Sequence, residues 1–211
     1  MQFLLRAGAS VSRLGILAGT FNPITVAHIA LGRAALPLVD EVVFVIPRVL
    51  PHKKFTGASF EQRAEMLQAA LCGQPGFSVA AVDGGLFAEI AEECRAEYGD
   101  GVQLSFLCGR DAAERVIGWD YGNPYAIAGM LRRFDLLVAA RGGEYTAPAE
   151  WGAAVRPLDL KGEFNHISAT EVRKRIATGQ PWEELVPEGA VELIQRIYCP
   201  EFTRIYKDSP E

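Results

Sequence analysis

The chain predicts an α/β fold built on a doubly wound parallel sheet with a helical C-terminal extension, and three observations carry that prediction. Short runs rich in Val, Ile, Leu, Phe and Ala recur at residues 14–18, 41–46, 77–82, 102–108 and 135–140. They show little polar alternation, as strands buried on both faces do. Between them lie stretches with helical patterning, and this alternation builds parallel sheets. At 211 residues the chain can bury a sizeable core.

The first strand, 14–18, runs into Gly19-Thr20-Phe21-Asn22-Pro23. Pro23 sets the chain before a helix over 25–36, which Thr25 can cap. Strand 41–46 leads to the loop "LPHKK", Leu50 to Lys54, and to a helix over 59–71. Strand 77–82 is followed by "VDGGLFAEI" and a helix over 86–98. Strand 102–108 passes through Gly109 into a helical stretch over 111–133, broken at Pro124. Beyond the last strand, "GQPWEEL" separates two helices at 168–178 and 187–198. Residues 1–166 then form the α/β domain, and 167–211 a helical extension packed on it. No motif sets the role of residues 1–13.

The composition is that of an ordinary globular chain, 49% hydrophobic and 22% charged. A net charge of −5 argues against a nucleic-acid surface, which shows as a basic excess. The four cysteines, Cys72, Cys94, Cys108 and Cys199, form no CxxC pair, so free thiols in a reducing cytoplasm are expected and no protein-built metal cage. No apolar run reaches the roughly 18 residues of a membrane span. Arg6 and Arg13 interrupt the opening segment, which lacks a signal-peptide pattern. No motif selects between a monomer and a homo-oligomer.

In a doubly wound sheet, ligands sit beyond the carboxyl ends of the strands near the point where strand order reverses. The Gly19–Thr20–Phe21–Asn22 turn falls there, and glycine allows close backbone approach. The following helix start favours an anion. His28 shares a face of that first turn with Thr25, either as a phosphate-holding imidazole or as an ordinary first-turn residue beside a capping Thr. A dinucleotide oxidoreductase would carry G-x-G-x-x-G at this turn, and the pattern is absent.

The second stretch is "ISATEVRKRI". Ser168 and Glu171 read as a capping box. Thr170 and Arg173 project from one face, where a hydroxyl, free amides and a guanidinium suit phosphate oxygens. The third stretch, "LPHKK", places two lysines and His52 in a Pro-anchored loop. All three histidines, His28, His52 and His166, fall in or beside these stretches.

Together "GTFNPITVAH", "PHKK", "FLCGRD" with its later Trp, "ISATEVR" and "LVPEGAVELIQRIY" resemble the nucleotidylyltransferase superfamily, with its (H/T)-x-G-H and I-S-S-T-x-x-R motifs. Within it the chain is most similar to the nicotinate- or nicotinamide-mononucleotide adenylyltransferases. The resemblance implies a Rossmann-like nucleotidylyltransferase fold whose residues 1–166 are the nucleotide-binding catalytic domain. It implies transfer of AMP from ATP to a pyridine mononucleotide with release of pyrophosphate, a step of NAD biosynthesis. By that similarity His28, Lys53 and Arg173 are the catalytic residues. ATP meets Gly19, Thr20, Phe21, Thr25, His28, Gly109, Asp111, Ser168, Thr170 and Arg173. The acceptor meets Asn22, Lys53, Gly84, Gly85, Trp119 and Arg141. Mg²⁺ comes bound through the ATP phosphates and keeps several waters.

Four departures stand out. Ala27 replaces the motif glycine, Ala169 the second serine, and Arg110 a small residue. Gly84 and Gly85 replace a hydroxyl-bearing stretch on the acceptor side, leaving only backbone amides. These departures keep two alternatives open: another phosphorylated acceptor, such as phosphopantetheine or a phosphorylated alcohol, or a nucleotide-binding relative that does not catalyse. Several site residues also have plain structural readings. Trp119 can be simply buried, Arg141 can be a surface residue before a Gly-Gly turn, and Asp111 can favour a helix N-terminus.

Overall fold

The computed structural model describes residues 1–8, 10–49, 57–118, 126–139 and 145–199. Its strands are β1 (Gln2–Leu5), β2 (Arg13–Ala18), β3 (Glu41–Pro47), β4 (Phe77–Val82), β5 (Gln103–Gly109), β6 (Asp135–Ala139) and β7 (Val155–Leu158). Its helices are α1 (Val26–Ala35), α2 (Phe60–Leu71), α3 (Phe87–Tyr98), α4 (Arg110–Gly118), α5 (Ala126–Leu131), α6 (Ala169–Ala177) and α7 (Val191–Tyr198).

Side chains of a strand alternate between the two faces of its sheet, so a run buried throughout must be covered on both. In β3, Val42, Val43, Phe44, Val45 and Ile46 are all fully buried. Val42, Phe44 and Ile46 join a core with Ile29 of α1, Leu67 of α2, Val172 of α6 and Ile194 of α7. Val43 and Val45 join a second core with Ile90 of α3, Ala113 of α4 and Leu131 of α5. The two C-terminal helices therefore share a core with the first helix of the chain.

Strand order is β1-β4-β3-β2-β5-β6-β7. All neighbours are parallel except β1, which runs antiparallel to β4. From β2 the chain builds outward through β3 and β4 on one side, and then through β5, β6 and β7 on the other. The switch point lies between the carboxyl ends of β2 and β5, where such sheets bind ligands.

The stretch 111–133 divides into α4 and α5, in keeping with the expected break, while Pro124 itself lies in 119–125, outside the described residues. Two parts differ from the sequence expectation. The last helix starts as a 3₁₀ turn over Glu188–Ala190 before α7. Two edge strands were not expected. β1 is held from outside itself: Gln68 Nε2 donates to the Leu4 carbonyl at 2.8 Å, and the Arg6 guanidinium lies 4.3 Å from the Phe3 ring centre. β7 carries Pro157, a residue that edge strands tolerate. Among the described residues no helix is long and apolar enough to cross a membrane.

The C-terminal segment is seated closely on α2. A Cβ on Gly189 would lie 2.5 Å from the Ala69 carbonyl oxygen, which is backbone and cannot swing away. Gly189→Ala should cost about 2 kcal/mol and lower the melting temperature by roughly 4–8 °C. Thermal unfolding followed by circular dichroism measures this, and an unchanged melting temperature would show that the segment can lift off α2.

Candidate active site

The turn after β2 is shaped by Phe21. It is the one non-glycine residue with positive φ (48°) among the described residues, a conformation that bulky side chains rarely adopt. Its ring is buried, 5.9 Å from the Phe44 ring and edge-on to His28 at 5.2 Å. The ring lies over Gly19, where a Cβ would come within 2.9 Å of it. Gly19 is thus needed by the turn's own packing, and Phe21 turns inward beneath the site.

Two guanidinium groups grip this turn through its carbonyls. Arg63 of α2 donates to the Thr20 carbonyl at 2.8 Å, and Arg173 of α6 donates to the Asn22 carbonyl. Arg63 is only 3% exposed, and burial pulls its pKa below the usual arginine value against the opposing pull of Tyr198 and Glu61. A guanidinium stays charged in proteins. Its bond to Thr20 joins a cation to a neutral carbonyl, so that bond does not cancel the charge.

At the start of α1, Thr25 is fully buried and His28 occupies the third helical position. The Thr25 amide donates to His28 Nδ1 at 3.0 Å, and Thr25 Oγ1 lies 2.8 Å from the same nitrogen. An amide N–H can only donate, so Nδ1 accepts, and this bonding pattern assigns the proton of the neutral ring to Nε2. The capping and phosphate-holding readings of His28 are therefore compatible: one nitrogen closes the capping box, while the other is an N–H donor. The Ala27 methyl is buried in the core. The side chain that replaces the motif glycine thus packs into the protein.

At α6, Ser168 Oγ accepts the Glu171 amide at 3.1 Å. Only this half of the expected box is seen. The Glu171 carboxylate pairs instead with Arg175 at 3.2 Å, an i,i+4 contact, and Arg175 also bonds Glu184 at 2.7 Å. Arg173 reaches Thr170 Oγ1 at 3.3 Å while holding Asn22. Arg173 and the cap that holds His28 thus meet at one turn.

Other expected residues are distributed around this centre. Gly109 ends β5 across the switch point. A Cβ there would meet nothing within 4 Å, so packing does not demand a glycine. Asp111 is exposed in the first turn of α4. Asn22 is 6% exposed, and its Oδ1 accepts from the Ala58 amide at 3.3 Å and from the Tyr198 hydroxyl. Its side chain serves contacts within the protein. The amides of Asp83 and Gly84 donate to Glu93 at 3.0 and 3.2 Å. Those of Gly85 and Leu86 donate to Glu89 at 2.9 and 3.0 Å. The backbone amides expected for the acceptor are engaged by two carboxylates of α3. His166 is exposed. His52, Lys53, Trp119 and Arg141 lie outside the described residues.

The sequence reading passed over Arg63 and Tyr198. Arg63 carried a signal: it sits on the buried stripe of α2 with Leu67 and Ala70, and a lone cation on an apolar face implies an inward partner. Tyr198 had none, since its partner is 176 positions away.

A family model described as cytidylyltransferase-like matches residues 16–175. A probable nicotinate-nucleotide adenylyltransferase of Gloeobacter violaceus is 32% identical over 201 residues, covering 87% of this chain and 94% of the relative. One of the same description from Bordetella pertussis is 32% identical over 194 residues, covering 87% and 95%. The fold is similar to that of a Plasmodium falciparum nicotinic acid mononucleotide adenylyltransferase complexed with NaAD, with a TM-score of 0.67. That match has 16% identity and covers 90% of this chain and 98% of that one.

Removing the Arg63 guanidinium leaves the Thr20 carbonyl without this donor. Arg63→Leu should cost about 2 kcal/mol, roughly 4–8 °C in melting temperature, and lower turnover as well. Calorimetry with steady-state assays reads both, and a stable variant with full turnover would remove Arg63 from the support of the turn.

Proposed function

This chain belongs to the cytidylyltransferase-like family, and we propose that it joins AMP from ATP to nicotinate or nicotinamide mononucleotide, releasing pyrophosphate. The observation that carries this reading is the turn at the switch point, gripped by Arg63 and Arg173 and carrying the His28 cap. An oxygen of the mononucleotide 5′-phosphate attacks the α-phosphorus of ATP in line. A new P–O–P bond forms as the bond from the α-phosphorus to the bridging oxygen breaks, and pyrophosphate leaves with that electron pair. No enzyme nucleophile is required. The protein aligns two anions that repel one another and stabilises charge on the leaving group.

In this reading the His28 Nε2–H donates to the phosphates, and Arg173, Ser168 and Thr170 close on them from α6. Gly19, Thr20, Thr25 and Phe21 form the floor. Gly109 and Asp111 meet the adenosine end, and Lys53, Trp119 and Arg141 the mononucleotide. Among the described residues no three His, Cys, Asp or Glu side chains converge. Mg²⁺ arriving with ATP would lower the repulsion between the reacting anions, with phosphate oxygens and water supplying its ligands. A reducing cytoplasm suits the free thiols of Cys72, Cys94 and Cys108; burial pushes the last two up to about 12.

Incubation with ATP, Mg²⁺ and each pyridine mononucleotide, followed by product identification, tests the reading. The expected product is a dinucleotide with one equivalent of pyrophosphate. Both acceptors belong in the test, because Glu89 and Glu93 already engage the amides at Asp83 to Leu86. ATP binding without pyrophosphate release from either would refute catalysis of this reaction.

His28→Ala should lower turnover by about 10²–10³-fold, the scale of losing one preorganised donor. Arg173→Ala should also cripple turnover while the Ser168 cap stays in place. If either variant keeps near wild-type turnover and only melts earlier, that side chain is structural.

A further inference from the structure

Asn22 is the point where helices remote in sequence meet the turn. Its carbonyl receives Arg173 of α6, while its Oδ1 receives both the Ala58 amide, just before α2, and the hydroxyl of Tyr198, the last residue of α7. Its Nδ2 lies against Gly57, where a Cβ would collide with it. The amide is thus wedged between the entry to α2 and the end of α7. It stands three residues before Thr25, whose amide sets the His28 tautomer.

The Tyr198 hydroxyl is more than a packing contact. It is half-buried and lies in the field of both guanidinium groups that hold the turn, with Arg63 and Arg173 each acting on it electrostatically. Burial raises its pKa above the ordinary tyrosine value, against the opposite pull of the arginines, so the hydroxyl keeps its proton and donates. The acceptor it donates to belongs to the residue whose backbone orients Arg173.

Building on the adenylyl-transfer reading above, we infer that Tyr198 is a positioning residue for the reaction: through Asn22 it fixes the turn that aligns His28 and Arg173 on the phosphates. It touches no reacting atom in this account. Its loss misaligns groups that still bind, so the cost falls on kcat rather than on KM.

The test is Tyr198→Phe in the full chain, assayed for dinucleotide and pyrophosphate well below its melting temperature. The expected result is a fall in kcat of about 10-fold, with KM for ATP and for the mononucleotide within about threefold of wild type. Gly57→Ala displaces the same Asn22 amide from the opposite side and should give the same split, which also covers a Tyr198→Phe protein that does not fold. Because both act on one bond, the double variant should be no slower than the worse single variant. Wild-type kcat in a folded Tyr198→Phe protein would overturn the inference. So would losses that multiply in the double variant, or a rise in KM with kcat intact. A wild-type protein that forms no dinucleotide would sink the adenylyl-transfer reading and this inference with it, whereas an active wild type with an unaffected variant would sink the inference alone.

Discussion

Arg63 and Arg173 come from helices 110 positions apart and donate to carbonyls two residues apart in one turn. The rest of the site depends on this double grip. A turn at the end of a buried strand exposes carbonyls as well as amides, and carbonyls repel phosphate. With two of them bound to guanidinium groups, the negative ends of those peptide dipoles are masked and two positive charges are added. A chain of net charge −5 can in this way hold a cationic point where its sheet is built to receive a ligand.

The residues of the same turn and the helix start after it also fix the ring of His28. Its ring is held by the Thr25 amide on one nitrogen and packed edge-on by Phe21. Phe21 can pack there because its backbone takes a left-handed conformation and Gly19 leaves room for the ring. Strain at one residue and the missing side chain at another thus preset a donor. The C-terminal helices complete the arrangement: Arg173 and Tyr198 both bind Asn22, and Ile194 and Val172 share the core of α1 and α2.

Much of this was legible in the chain. The five buried runs became β2 to β6, because continuous apolar sequence has few other solutions than a sheet covered on both faces. The turn and the helix start at Thr25 could be read from Gly, Pro and Thr. The edge strands could not, since four residues such as Gln2–Leu5 pair only because β4 presents an open edge and Gln68 and Arg6 hold them there. Glu171 fitted a capping box by spacing, yet Arg175 one turn on took its carboxylate. Gly84 and Gly85 looked like open amides until Glu89 and Glu93 were seen to answer them. In each case the local pattern was sound and a competing partner decided the outcome.

What the sequence determined by itself is the set of local units: the strands, the helix starts, and the residue types suited to phosphate at the first and last motifs. Only the tertiary structure decided that these motifs meet, that Arg63 points inward to Thr20, and that a tyrosine at the far end of the chain holds Asn22. The physical reason lies in range. Periodicity and capping act over a few residues and are written in neighbouring letters, whereas a hydrogen bond between positions 22 and 198 exists only after the sheet has stacked both on one face.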